Sequence, residues 1–186
     1  MTAIVMETEV QSVRFTTASS RPSDVSSVVE TILDRALDFC VHKLNLDGSE
    51  AVMDLLRQGD HTTYRYWLHG LAKHVAGHLG VWDESIQGIY IYDYDATPED
   101  LSFVEVAPDP LIHLIVWARR KTAALNSLIE GLDRALAQAH VERLGTPQLK
   151  HLLDVQVVDD NEVDNRRGYG AFFSSLHHRP LPLWKR

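Results

Sequence analysis

The longest regular pattern of apolar residues predicts a buried strand followed by an amphipathic helix. Residues 111–117, LIHLIVW, are apolar except for His113, and a short run rich in Ile and Val is typical of a strand covered on both faces. The spacing then changes to three and four residues, which predicts a helix over 123–144 that ends at Gly145 and Pro147. The apolar stripe of this helix consists of Leu125, Leu128, Ile129, Leu132, Ala135, Leu136 and Ala139.

Three helices are predicted before this unit. Apolar residues recur at helical spacing over 25–44, and shorter patterns predict helices over 49–56 and 61–79. Gly80 is a suitable residue to end the third helix. A weaker alternation over residues 4–15 predicts a strand at the edge of a sheet.

Further strands are predicted on both sides of the central strand. Within 86–95, one side of the strand carries Tyr90, Tyr92 and Tyr94, and the other carries Ile89, Ile91, Asp93 and Asp95, as in a half-buried strand. Short β-rich runs predict two more strands, over 103–106 and 152–158.

The order of these elements predicts the α+β class. The helix over 123–144 joins two strands, and such a crossover makes its strands parallel, whereas the short links elsewhere favour antiparallel pairs. We therefore expect a mixed, largely antiparallel sheet with one β-α-β crossover, preceded by three helices. We also expect one domain, 1–186, with a helical half at 22–80, a sheet-rich half at 84–175 and an extended C-terminal tail at 176–186.

Composition narrows the classes of function. The formal net charge is −8, which argues against general nucleic-acid binding because neutralised phosphates supply most of that affinity. No apolar run approaches the roughly 20 residues that cross a bilayer, so no membrane association is expected. The acidic N-terminus differs from a secretory signal, and the single cysteine, Cys40, cannot form an internal disulfide. These features predict a cytoplasmic protein.

Two pairs of side chains have the spacing of metal ligands. His74 and His78 lie one helical turn apart and could share a zinc ion. Asp93 and Asp95 point the same way near a strand end and, with Asp154, could hold Mg²⁺. The histidines lack the HExxH pattern and the aspartates lack a Gly-rich phosphate loop. We therefore favour no metal and no cofactor.

A basic cluster just before the long helix is the candidate for binding a small anion. Arg119, Arg120 and Lys121 precede a helix N-terminus, where the dipole disfavours cations and favours a bound anion. Arg166 and Arg167 follow the next predicted strand and could reach the same sheet edge. Side chains that extend into solvent explain the same residues.

A polar cluster is predicted on one face of the sheet. His113 is the only polar residue of the central strand, and Asp154 and Gln156 share its face if the long helix covers the apolar faces. These residues either form a hydrogen-bonded structural network or line a pocket. A His beside an Asp could act as a general base, although the sequence identifies no nucleophile.

No motif of known chemistry supports these candidates, so we expect a binding or interaction domain. Self-association as a dimer is expected through a sheet edge or through the C-terminal tail, with Trp184 buried at a two-fold interface. The alternative is a metal-dependent enzyme acting on a phosphorylated or nucleotide substrate. It would use Asp93, Asp95 and Asp154, with the cluster at 119–121 contacting the phosphate.

Overall fold

The computed structural model describes residues 22–92, 111–146, 149–176 and 179–186. The strands predicted over 4–15 and 103–106 lie outside these residues, as do the carboxylates of Asp93 and Asp95. Every structural statement below refers to the described residues.

Three helices come first, as the sequence predicts. They are α1 (Pro22–Leu44), α2 (Ser49–Arg57) and α3 (His61–Trp82). Asp60 caps α3, because its side chain accepts a hydrogen bond from the backbone N–H of Thr63. Gly70 brings α3 close to α1, since a Cβ at this position would lie 3.1 Å from Cα of Ala36. None of the described helices is both long enough and apolar enough to cross a membrane.

The described residues form a four-stranded sheet in the order β3-β2-β1-β4. Its strands are β1 (Ile86–Ile91), β2 (Ile112–Ala118), β3 (Leu153–Val158) and β4 (Leu181–Lys185). β1 pairs antiparallel with β2 and β4, while β2 pairs parallel with β3. The crossover between β2 and β3 is helix α4, Ala123–Leu144. The predicted α+β class, with three helices before a mixed sheet and one β-α-β crossover, is confirmed.

Helices pack on one face of the sheet and bury its apolar side chains. α4 begins after Thr122, whose side chain accepts a hydrogen bond from the N–H of Leu125 (3.1 Å), and it ends at Gly145 in the left-handed conformation. The buried core joins the stripe of α4 to the inward residues of β2, namely Leu125, Leu132 and Leu136 with Ile112, Leu114 and Val116.

The opposite face is covered by a segment that sequence reasoning assigns to a polar loop. Residues 159–170 contain helix α5 (Asp160–Asp164) and lead into a 3-10 helix (Gly168–Ser174). Asp159 and Glu162 form a capping box, in which each side chain accepts a hydrogen bond from the other residue's backbone N–H. That D-x-x-E signature is visible in the sequence, but five helical residues give no apolar stripe to accompany it.

An aromatic layer attaches the 3-10 helix to the sheet. The ring of Phe173 lies edge-on to Tyr90, with centroids 4.7 Å apart, and 5.7 Å from the ring of Trp117. Gly170 lets the 3-10 helix approach α5, since a Cβ there would clash with the carbonyl oxygen of Glu162. Both faces of the sheet are therefore covered here, and Ile89, Tyr90 and Ile91 of β1 are all buried, whereas the sequence predicted a half-buried strand.

The C-terminal tail forms the fourth strand of the sheet. Within β4, Trp184 pairs with Ile89 of β1, and its indole packs on Gly80 at the end of α3. The guanidinium of Arg186 donates a hydrogen bond to the carbonyl of Gly80 (3.1 Å). The tail thus docks on its own subunit. Trp184 is half-buried within this one chain, and its burial at a two-fold interface stays a prediction.

Candidate functional site

Three polar side chains converge on the carboxylate of Asp154. Nδ1 of His113 lies 2.9 Å from Oδ2 of Asp154, and the hydroxyl of Tyr92 donates to the same oxygen over 3.1 Å. The side-chain amide of Gln156 donates to the other oxygen, Oδ1, over 2.9 Å. The structure therefore brings together the three pocket candidates of the sequence, His113, Asp154 and Gln156, and adds Tyr92, which sequence reasoning missed.

Strand register places these side chains on one face. His113 and Asp154 each occupy the second position of their strand, and they are direct partners in the parallel β2–β3 ladder. Tyr92 follows β1, and its backbone N–H donates to the carbonyl of His113 (3.1 Å), which continues the antiparallel pairing by one residue. Its ring then lies over the ladder, 5.5 Å from the imidazole of His113. The alternation of tyrosines in 86–95 was the signal for this position.

The network holds Asp154 ionised and Tyr92 protonated. Partial burial raises the pKa of Asp154, but the hydrogen bonds from His113, Tyr92 and Gln156 lower it more, so the pKa lies below its usual value. Burial raises the pKa of Tyr92, and the adjacent negative charge of Asp154 and the Tyr169 hydroxyl raise it further. Tyr92 therefore acts as a neutral hydrogen-bond donor to a carboxylate.

The ionised carboxylate also selects the tautomer of His113. Because Asp154 can only accept a hydrogen bond, the proton of the His113 ring is assigned to Nδ1, and Nε2 of the neutral ring keeps its lone pair. No described residue hydrogen-bonds to Nε2. Solvent reaches both side chains, since 22% of His113 and 36% of Asp154 are exposed.

Aromatic rings form a wall beside this polar centre. The ring of Tyr92 lies 5.5 Å from Tyr169 and 5.9 Å from Phe172. Tyr169 and Phe172 are nearly parallel, with an interplanar angle of 21° and centroids 5.8 Å apart. Tyr169 is 36% exposed. The site thus combines a hydrogen-bond acceptor with an accessible aromatic face.

The basic residues proposed to bind an anion are exposed, and one of them is paired with an acid. Lys121 forms an ion pair with Glu162 of α5 (2.7 Å), while Arg119 and Arg120 are exposed just before Thr122, the residue that caps α4. The side chains of Arg166 and Arg167 are also exposed. The backbone N–H of Arg167 donates to the carbonyl of Glu162 (2.8 Å), the residue whose carboxylate pairs with Lys121, and the binding of one anion by both groups stays a prediction.

The metal-site candidates are not assembled among the described residues, where no group of three or more His, Cys, Asp or Glu side chains could hold a metal ion. Burial lowers the pKa of His74 and His78, and the charge of Lys73 lowers that of His74 further. The ring of His78 instead lies 5.9 Å from that of Trp82. The carboxylate of Asp154 accepts hydrogen bonds from three protein donors, which does not suit a metal ligand.

A second His–Asp pair, which the sequence did not reveal, lies on the helix side of β3. Asp133 of α4 is 6% exposed, and its Oδ1 accepts hydrogen bonds from the backbone N–H groups of Leu152 and Leu153, both at 2.8 Å. Its Oδ2 lies 2.7 Å from Nδ1 of His151, a side chain that is 70% exposed. Both carboxylate oxygens serve to fix the start of β3, so this pair is structural.

A buried histidine between α3 and α4 has no polar partner. His140 is 2% exposed, and neither ring nitrogen has a hydrogen-bond partner among the described residues. Its ring lies 6.3 Å from each of Tyr64 and Trp67. Burial lowers the pKa of His140 to about 4, so the ring is neutral at physiological pH.

Hydroxyl and thiol groups are the side chains that a His–Asp pair could activate as nucleophiles. Among the described residues, no Ser, Thr or Cys side chain hydrogen-bonds to His113. Cys40 is fully buried in α1, where burial raises its pKa to about 12, and its thiol is unreactive. No model of a known protein family, no curated protein and no solved structure matches the chain.

Proposed function

We propose that this chain is a non-catalytic, self-associating binding domain that holds a small planar molecule on the sheet face around Asp154. The observation that supports this proposal is the orientation of His113. Asp154 engages Nδ1, so Nε2 is left as the acceptor of a side chain that is 22% exposed, and the ring of Tyr92 lies 5.5 Å from both His113 and Tyr169. A network serving stability alone has no need of an accessible acceptor next to an aromatic face.

The polarity of the site defines the class of ligand. A bound molecule would donate an N–H or O–H group to Nε2 of His113 and place its ring against Tyr169. The negative charge of Asp154 disfavours anions here and favours a neutral or cationic heteroaromatic ring. If the protein also takes a small anion, we propose that it binds at Arg119 and Arg120, which are exposed and form no ion pair within the described residues.

Further properties belong to the same proposal. We place the protein in the cytoplasm, because its one cysteine is a buried thiol and can form no internal disulfide. The net charge of −8 supports the expectation that it does not bind nucleic acid generally. Metal-dependent catalysis through Asp154 is not supported, since that carboxylate is already engaged by His113, Tyr92 and Gln156.

A pair of probe compounds tests the proposal by NMR. Adenine is planar and carries N–H donors, whereas caffeine is planar but has none. Adenine should shift the amide signals of Tyr92, His113 and Asp154, and caffeine should shift them much less. The His113→Ala variant should lose the adenine response, while His42→Ala, which alters an exposed histidine of α1, should keep it. Equal responses to both compounds, or an unchanged response in His113→Ala, would contradict the proposal.

A further inference from the structure

The two edges of the sheet differ in how they are protected. At the β4 edge, Pro180 and Pro182 interrupt the backbone donors, and the pairing with β1 shifts register between Ile89 and Tyr90. Prolines and bulges are features that prevent further strands from adding to an edge. β3, the other edge in the described part of the chain, pairs regularly over six residues and contains neither proline nor lysine. Among the described strands, it is therefore the edge that leaves room for another strand.

Backbone hydrogen bonding shows which groups of β3 face outward. At the start of the β2–β3 pair, the backbone N–H of Ile112 donates to the carbonyl of Leu152 (2.8 Å). Every second residue from there, Leu152, Asp154 and Gln156, therefore turns its backbone groups towards β2. The residues between them, Leu153, Val155 and Val157, turn theirs to the open edge. The outward N–H of Leu153 is already bonded to Asp133. The N–H groups of Val155 and Val157 have no hydrogen-bond acceptor among the described residues, and the carbonyls of all three residues have no donor there.

We propose that two copies of the chain pair antiparallel through their β3 strands, about a two-fold axis at Val155. This inference rests on the self-association proposed above and names its surface. In this register the two Val155 residues exchange N–H···O bonds, and at each end Val157 donates to the carbonyl of Leu153 of the partner subunit. The register uses every available N–H and does not require the one that Asp133 occupies.

The side chains match in the same register. Asp154 lies opposite Gln156 of the partner subunit, which sets a carboxylate against an amide donor, and Leu153 lies opposite Val157 of the partner subunit. Moving the axis to Gln156 would set Asp154 opposite a valine, and moving it to Val157 would set Asp154 opposite an aspartate. Only the axis at Val155 pairs polar with polar and apolar with apolar residues without opposing like charges.

The surface beside the strand is also self-complementary. A groove of about 350 Å³ runs between α4 and β3, and its floor includes the side chains of Ile129 and Val155. Its rim carries both signs of charge, Glu130 with Arg134 and Lys150. A two-fold interface brings one patch against its own copy, so a patch with both signs can form ion pairs across the axis.

Sedimentation equilibrium of the full chain tests the surface. The wild type should be a dimer, and Val155→Lys, which introduces two like charges at the axis, should be a folded monomer with unchanged circular dichroism. Leu181→Lys alters an exposed residue of β4 and should remain a dimer. If Val155→Lys stays dimeric, the proposed surface is wrong although self-association stands. A monomeric wild type would overturn self-association itself, and this inference with it.

Disulfide cross-linking tests the register with a control on the same strand. Two Val155→Cys chains meet at the axis, where Cα atoms of opposed residues lie about 5.5 Å apart, within disulfide range. Two Val157→Cys chains would be offset by roughly 13 Å along the strands, which is too far to bridge. Cys40 is buried and does not compete. Mild oxidation should cross-link Val155→Cys alone, and equal cross-linking of both variants would contradict the register.

Discussion

The indole of Trp184 occupies the space that a side chain at Gly80 would need. A Cβ built on Gly80 would clash with two ring carbons of Trp184, Cδ2 and Cε2. The guanidinium of Arg186 closes the contact by donating a hydrogen bond to the carbonyl of Gly80 and lying 5.7 Å from the indole. Gly80 has no side chain, and it therefore leaves the space in which Trp184 of the C-terminal strand packs against α3.

Gly80→Ala should destabilise the protein by displacing Trp184, although alanine favours a helix over glycine by about 1 kcal/mol. Gly77 is the matched control, because it lies in the same helix and a Cβ there meets nothing within 4 Å. We expect Gly77→Ala to raise the free energy of unfolding and Gly80→Ala to lower it, with a shift in tryptophan emission. Stabilisation by both substitutions in urea unfolding would show that the tail does not dock in this way.

The stripe of α4 should show graded sensitivity to truncation. Leu132 is 1% exposed and packs in the core, while Leu128 is only partly buried at its margin. Leu132→Ala should cost about 2 to 5 kcal/mol of unfolding free energy, as removal of a buried aliphatic side chain does, and Leu128→Ala should cost less. Denaturant unfolding measures both. The reverse order would mean that α4 is rotated about its axis relative to the sheet.

Asp133 should contribute more to the free energy of unfolding than an exposed carboxylate does. Asp133→Ala leaves the N–H groups of Leu152 and Leu153 without acceptors, and each unpaired buried group costs about 1 to 3 kcal/mol. We expect a loss of several kcal/mol in unfolding free energy. Asp38→Ala removes an exposed acid from α1 and should change it little. Similar small losses in both variants would mean that Asp133 does not fix the start of β3.

The regular spacing of apolar residues along the chain was enough to predict much of the fold. The stripe of α4 and the β-rich runs around it were sufficient for the parallel β2–β3 pair and for the class. Contacts between distant residues were not readable. The packing of Trp184 depends on Gly80, and a single glycine adds nothing to a periodic pattern of apolar residues. Helix α5 has five residues, which is too few to show an apolar stripe. Edge protection by Pro182 likewise appears only once the strand order is known.

His140 should make stability depend on acidity. Its pKa is lowered to about 4 in the folded protein, so the unfolded chain binds the proton more readily and stability falls as the pH drops below the ordinary histidine value. Between about pH 7 and pH 5 this group should remove about 2 kcal/mol of unfolding free energy. His69, His74 and His78, whose pKa values are also lowered, act in the same direction.

Urea unfolding at several pH values separates this contribution. His140→Leu, which cannot be protonated, should lose less stability on acidification than the wild type does. His42→Leu changes an exposed histidine of α1 and should keep the pH dependence of the wild type. An unchanged pH dependence in His140→Leu would show that the buried ring does not destabilise the fold when it is protonated.

The sequence predicted only part of the candidate site, because it shows local alternation but not contacts between distant residues. Strand parity placed His113, Asp154 and Gln156 on one face, because alternation along a strand is a local property. The reach of Tyr92 to Asp154 and the aromatic wall of Tyr169 depend on a segment that the sequence did not place. The second carboxylate, Asp133, interrupts an apolar stripe, which was the one signal of its buried role.

The tautomer of His113 tests the proposed binding site most directly, because the ligand proposal requires an unprotonated Nε2. Long-range ¹H–¹⁵N NMR spectra of the neutral imidazole identify which ring nitrogen carries the proton. We predict a proton on Nδ1 in the wild type and a shift of the proton towards Nε2 in Asp154→Asn, whose amide can donate to Nδ1. A wild-type ring protonated at Nε2 would contradict the account, since His113 would then present a donor to the site.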